Sequence, residues 1–110
     1  MNTLPRNDLP IACDLNALDA AVRLTHIQAA RQLLHGDTRE IQELPDGFAF
    51  RHAAEQYAQV TQFIANERLC CPFFTFVLEV TPGNGPIWLR ITGREGVKDF
   101  LQSELGRCDC

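Results

Sequence analysis

Residues 73–80 and 87–91 are two apolar, β-branched and aromatic runs split by Pro82-Gly83-Asn84-Gly85-Pro86, and no other feature restricts the fold as much. Such runs around a loop of proline, glycine and asparagine read as an antiparallel hairpin. The same figure stands earlier, where residues 39–44 and 48–52 flank Pro45-Asp46-Gly47. Each hairpin is followed by a helical pattern. One covers 53–69 and is stopped by Pro72, which lacks an amide and clashes with the turn before it. The other covers 94–105, with Val97, Phe100, Leu101 and Leu105 at helical spacing.

A first helix precedes both units, over residues 17–34, with Gly36 as its stop. Asn16 with Asp19, and Thr92 with Glu95, are expected to form capping boxes for the first and last helices. The order is α-ββα-ββα, so the expected class is α+β: a four-stranded antiparallel sheet with helices packed mainly on one face. The hairpin-then-helix unit occurs twice, but with poor residue identity, and is read as repetition of form. Residues 11–106 make the domain, 1–10 a loose arm carrying Pro5 and Pro10, and 107–110 a tail.

Strand alternation leaves one sheet face to be explained. Phe73, Val77 and Trp88 fall there beside Glu79, Arg90 and Thr75. That face is too apolar for a fully wetted surface, so helix 1, a ligand or a second copy of the chain is expected to cover it. Phe73, Val77, Trp88 and Arg90 are the candidate ligand or partner residues, with a homodimer as one partner.

The 110 residues suit a single domain. The formal net charge is −4, and the ten basic residues are scattered, so the basic footprint of a nucleic-acid binder is missing. No apolar run reaches the roughly 20 residues of a membrane span. Residues 1–10 lack the apolar segment of a secretory signal, so a cytoplasmic location is expected.

Five cysteines, an odd number without a secretion signal, argue against a disulfide scaffold and leave metal, redox or plain burial. Cys70 and Cys71 are adjacent at the end of the second helix. Glu67 falls in the middle of that helix's apolar side, with Ala53, Val60, Phe63, Ile64 and Cys71. A carboxylate there needs a partner, such as Arg68 or Arg90, a place beyond the core's edge, or a function. His26 interrupts a stripe of Leu18, Val22, Ala29 and Leu33 on the first helix, a position more often filled by a satisfied core histidine than by a ligand. His35 suits a helix C-terminus, and His52 marks a strand-to-helix junction.

Ile11-Ala12-Cys13, 44–48, Glu67-Arg68-Leu69-Cys70-Cys71-Pro72-Phe73, 85–89 and 93–98 together resemble a group of small, uncharacterised bacterial proteins. The resemblance spans about residues 11–105, and the Glu-Arg-x-Cys-Cys-Pro-Phe stretch is its most specific part. It implies a cytoplasmic bacterial protein and names no activity. Cys108 and Cys110 lie outside it.

Three functions follow. The first is a binding or oligomerising module using the face around Trp88, its cysteines being small core residues. The second is a site for a soft metal or metalloid, Zn, Hg or As(III), with Cys13, Cys70, Cys71 and Glu67 as ligands and His26 as an alternative. Adjacent cysteines share one ion only if the helix ends between them, as Pro72 suggests. There is no Cys-x-x-Cys pair, so this is not zinc-finger spacing. The third is a cysteine-dependent enzyme with Glu67 or a histidine as base. It is disfavoured by the negative helix C-terminus beside Cys70 and Cys71. A redox disulfide between these neighbours would need a strained ring and a distorted peptide, whereas one from Cys13 to either is less strained. No phosphate loop, dinucleotide fingerprint or triad spacing names a substrate.

Overall fold

A computed structural model describes residues 9–36 and 38–107. Most of the arm, residues 1–8, and the Cys108–Cys110 tail therefore lie outside the described residues. The elements are α1 (Ala20–Arg31), β1 (Glu40–Leu44), β2 (Gly47–His52), α2 (Tyr57–Cys70), β3 (Thr75–Val80), β4 (Ile87–Thr92) and α3 (Val97–Arg107). The chain is α+β with the expected α-ββα-ββα order. Its four strands form one antiparallel sheet in the order β1-β2-β4-β3. The second strand of each hairpin thus lies at the centre, so the two hairpin-helix units sit on either side of a common seam.

That seam holds the core. Phe48, Phe50 and His52 of β2 and Ile87, Leu89 and Ile91 of β4 all point to one face and are all buried. Val60 and Phe63 of α2, and Val97 and Leu101 of α3, are buried in the same core. Each of these apolar side chains, His52 excepted, contributes about 1.5–3 kcal/mol when taken out of water. Strands β2 and β4 approach so closely at Gly47 that a Cβ there would lie 1.9 Å from the Ile91 carbonyl oxygen. The second hairpin turns through Gly83 (φ 67°) and Asn84 (φ 57°), the left-handed conformation that the Pro-Gly-Asn-Gly sequence favours.

The opposite face is open to solvent. Thr75, Val77 and Glu79 are exposed, and Trp88 and Arg90 are half-buried. Helix α1 does not cover this face; it packs against α2. The charges there answer one another: Arg90 Nη2 lies 3.0 Å from Glu79, and Arg51 Nε 3.2 Å from Glu40. Phe73 corrects the expectation. Strand β3 starts at Thr75, because residues 71–73 turn after α2, and this sends Phe73 into the core. It packs there on Phe74 (ring centroids 4.6 Å) and edge-on to Phe100 (5.2 Å). The face therefore consists of Val77, Trp88 and Arg90 without Phe73.

Both expected capping boxes are also corrected. Asp19 is the N-cap of α1 but makes no side-chain cap bond. Upstream, Asp14 instead accepts from the Asn16 amide at 3.0 Å and caps a short 3-10 turn, Leu15–Ala17. Helix α3 starts only at Val97, after a turn containing Gly96 at φ 96°, so Thr92 ends β4 instead of capping a helix. At the other end of α1 the chain widens into a π-turn, Gln32–Gly36, which buries Leu33 and Leu34.

Candidate functional site at the end of the second helix

Helix α2 presents Val60, Phe63, Glu67 and Cys70 to the interior, positions three to four residues apart on one helical face. Glu67 is only 4% exposed. A buried carboxylate is stable only with partners, and its partner is neither Arg68, which is exposed, nor Arg90, which pairs with Glu79 on the far side of the sheet. It is His26, brought over by the packing of α1 on α2. The imidazole Nε2 stands 2.8 Å from Glu67 Oε1.

The Cys70 thiol donates to the same oxygen at 3.4 Å, and its sulfur lies 3.8 Å from His26 Nε2. The three groups are almost wholly enclosed: His26 is 1% and Cys70 0% exposed. Their potential ligand atoms all lie within 4.8 Å of one another. The imidazole also stacks on Phe63, with ring centroids 5.6 Å apart. Its other nitrogen, Nδ1, is buried without a hydrogen-bond partner among the described residues.

This environment changes the histidine. Burial by itself lowers the pKa of the imidazole, but the Cys70 sulfur and the Glu67 carboxylate outweigh it and raise His26 from 6.5 to about 9.

Two further sulfurs adjoin. Cys71 leaves the helix as its C-cap, with φ −126° and ψ 69°, so its side chain is not rotated away from Cys70 as it would be within a helix. Their Sγ atoms are 3.8 Å apart. Cys71 is joined by a disulfide to Cys13, 58 residues earlier in the chain. The segment carrying Cys13 is held down by the Asp14 amide, which donates to the Cys70 carbonyl at 2.7 Å, and by Arg94, which donates to the Leu9 carbonyl.

The structure thus gathers Cys13, Cys70, Cys71, Glu67 and His26 in one place. It corrects the reading of them in one respect. Cys13 and Cys71 are bonded to each other, so in this oxidised form they offer no thiolate, and Cys70 is the thiol left among the three. The Cys13 segment is pinned against the end of α2 by the Asp14–Cys70 backbone bond, which holds the two sulfurs together as the grouping of the three cysteines expects. His26 is the satisfied core histidine that its stripe suggests, and its partner is the buried carboxylate of Glu67. The available signal was paired: one polar side chain interrupts the apolar stripe of each of two successive helices, and two such misfits of complementary charge are best satisfied by each other.

His52, by contrast, is fully buried at the end of β2, and His35 is exposed at the end of the π-turn. Among the described residues the cluster of His26, Glu67 and Cys70 is the one set of His, Cys and acidic groups placed to share an ion, and no helix is long and apolar enough to cross a membrane. Comparison with protein-family models, with curated proteins and with solved structures finds no match.

Proposed function

We propose that the protein binds a soft or borderline metal ion or metalloid, of the class of Zn(II), Hg(II) or As(III), at the cluster around Cys70. The observation that carries this is the convergence of His26 Nε2, Glu67 Oε1 and Cys70 Sγ within 4.8 Å, with two more sulfurs alongside. Ligands held around one tetrahedral ion at about 2.0–2.3 Å stand about 3.3–3.8 Å from one another. The 3.8 Å between Cys70 Sγ and Cys71 Sγ, and the 3.4 Å from Cys70 Sγ to Glu67 Oε1, lie in that range. The 2.8 Å hydrogen bond between His26 and Glu67 opens by about half an ångström when an ion replaces its proton. Thiolate and imidazole donors favour soft and borderline ions over Mg or Ca. The burial of His26, Glu67, Cys70 and Cys71 suits a closed site better than one that must admit a substrate.

The test is thiol titration of the reduced protein, with Cys108 and Cys110 replaced by serine, before and after each ion is added separately. Protection of Cys70 and Cys71 together by one equivalent of any of the three ions is the expected result. Because both thiols are fully buried, bound ion is also counted by equilibrium dialysis, and a reduced protein that retains none of the three ions makes the cysteines core packing and ends this reading.

A second reading is favoured by one observation: Val77, 46% exposed, and half-buried Trp88 share one open face of the sheet, Val77 opposite Arg90 and Trp88 opposite Glu79. That patch suits self-association in a homodimer. Sedimentation across a hundredfold range of concentration tests it. A Val77→Lys variant that sediments like the parent at every concentration removes it.

A further inference from the structure

We infer that Cys71 is a ligand shared between two states, serving the ion when reduced and Cys13 when oxidised, so that a hydroperoxide discharges the site. This rests on the metal-site reading and adds to it the ion class and the control. The ion is a tetrahedral, zinc-like one, held by Cys70, Cys71, His26 and Glu67, and Cys13 is the thiol that displaces it.

Three observations lead there. Cys71 Sγ is bonded to Cys13 and is also 3.8 Å from Cys70 Sγ, the spacing of two sulfurs on one tetrahedral ion with bonds of about 2.3 Å. A sulfur in a disulfide has no thiolate to give, so the two arrangements exclude each other. Cys13 is half-buried whereas Cys70 and Cys71 are fully buried, which makes it the sulfur on the approachable side. Finally, Cys70 and Cys71 are neighbours in the chain, and a bond between them needs a distorted peptide. Cys13 has no such constraint and is held in place by the Asp14–Cys70 backbone bond.

The chemistry balances with the hydroperoxide as the two-electron oxidant. Of the two thiolates, that of Cys13, on the approachable side, attacks the terminal oxygen of the hydroperoxide. The O–O bond breaks, and water or an alcohol leaves after taking up a proton, which leaves a sulfenic acid. The other thiolate attacks that sulfur, the S–S bond forms, and hydroxide leaves to be protonated. Two thiols are oxidised, one peroxide is reduced, and the ion loses one of its four ligands. A dithiol reductant reverses the bond and restores the site.

The experiment uses the whole 110-residue chain with Cys108 and Cys110 replaced by serine. The reduced protein is loaded with Zn(II), freed of excess metal, and treated with one equivalent of hydrogen peroxide. Released zinc is followed with a chromogenic chelator, and cysteine linkages are mapped by mass spectrometry. One zinc per chain should be held at the start. Peroxide should release it in step with the loss of two thiols and the appearance of the Cys13–Cys71 linkage, and reductant should restore binding. The Cys13→Ser variant should bind zinc with affinity within about threefold of the parent and release it at least tenfold more slowly under peroxide.

If the reduced parent holds no zinc, the inference fails at its base before any oxidant is added. If zinc stays bound while Cys13 and Cys71 become linked, the metal site stands and the shared-ligand inference is overturned. Release at the parent's rate from Cys13→Ser, or oxidation through a different pair of cysteines, overturns it likewise. Linkage mapping on the parent decides the matter if the variant does not fold.

Discussion

The carboxylate of Glu67 stands 2.8 Å from the imidazole of His26 across the interface of the first two helices, although 41 residues separate them in the chain. Both are within the core. An ion pair in such a place gains little net stability against apolar side chains of the same volume, but loss of one partner strands the other. Glu67→Leu and His26→Leu should therefore each cost about 3–5 kcal/mol. The double variant should cost clearly less than their sum, with a coupling of about 1–3 kcal/mol in urea unfolding of the metal-free protein. Additive losses would mean that the two residues do not depend on each other.

The same pair sets a pH dependence. His26 is raised from 6.5 to about 9, so the folded state holds the proton more tightly than the unfolded state. Its stabilisation is complete below pH 6.5, declines as pH rises through the window, and is gone above about 9. The expected loss is a few kcal/mol between pH 6 and pH 9.5. It should be seen in urea midpoints of the metal-free protein with its disulfide intact and be largely missing from His26→Gln. Parallel profiles for the two proteins would contradict the assignment.

The Cys13–Cys71 bridge spans 58 residues, a separation that restricts the unfolded chain by up to about 4 kcal/mol on a loop-entropy argument. Mild reduction without metal should lower stability by about 2–4 kcal/mol. Cys13→Ala should show the same loss and become insensitive to reductant. If the variant matches the oxidised parent in stability, the bridge contributes nothing to the fold.

Gly47 offers a control unrelated to the site. A methyl group there meets the Ile91 carbonyl at 1.9 Å in the central strand pair, where backbone cannot move aside without breaking the ladder. Gly47→Ala should cost at least about 3 kcal/mol. Thermal unfolding within a degree or two of the parent would show that the two strands can separate locally at no cost.

Much of this arrangement was legible in the residues. The two hairpins, their turns and the following helices are each written in local terms: alternating apolar runs, Pro-Asp-Gly and Pro-Gly-Asn-Gly punctuation, and Pro72 after a helical stripe. Glu67 was legible as a misfit because helical spacing puts it among Val60 and Phe63. Its partner was not, because the packing of α1 on α2 is a property of the whole fold. The capping boxes misled for a related reason. Asn16, Asp19, Thr92 and Glu95 have suitable types and spacing, but tertiary packing moved the helix starts to Ala20 and Val97. Phe73 was misplaced by extending an aromatic run back to Pro72, where the chain is still turning. The disulfide was legible only as an option, since a bond from Cys13 to either neighbour is less strained than one between Cys70 and Cys71, and nothing local to Cys13 says that Cys71 is the one it meets.

The separation of Cys13 from its two companions has a consequence for the newborn chain. At a synthesis rate of about 5–20 residues per second, Cys13 precedes Cys71 by roughly 3–12 s. For most of that interval Glu67 has not been made, so outside the ribosome His26 lacks its carboxylate and Cys13 lacks the sulfur it will bond. Whatever small thiols or oxidants are present there reach Cys13 before its own fold does.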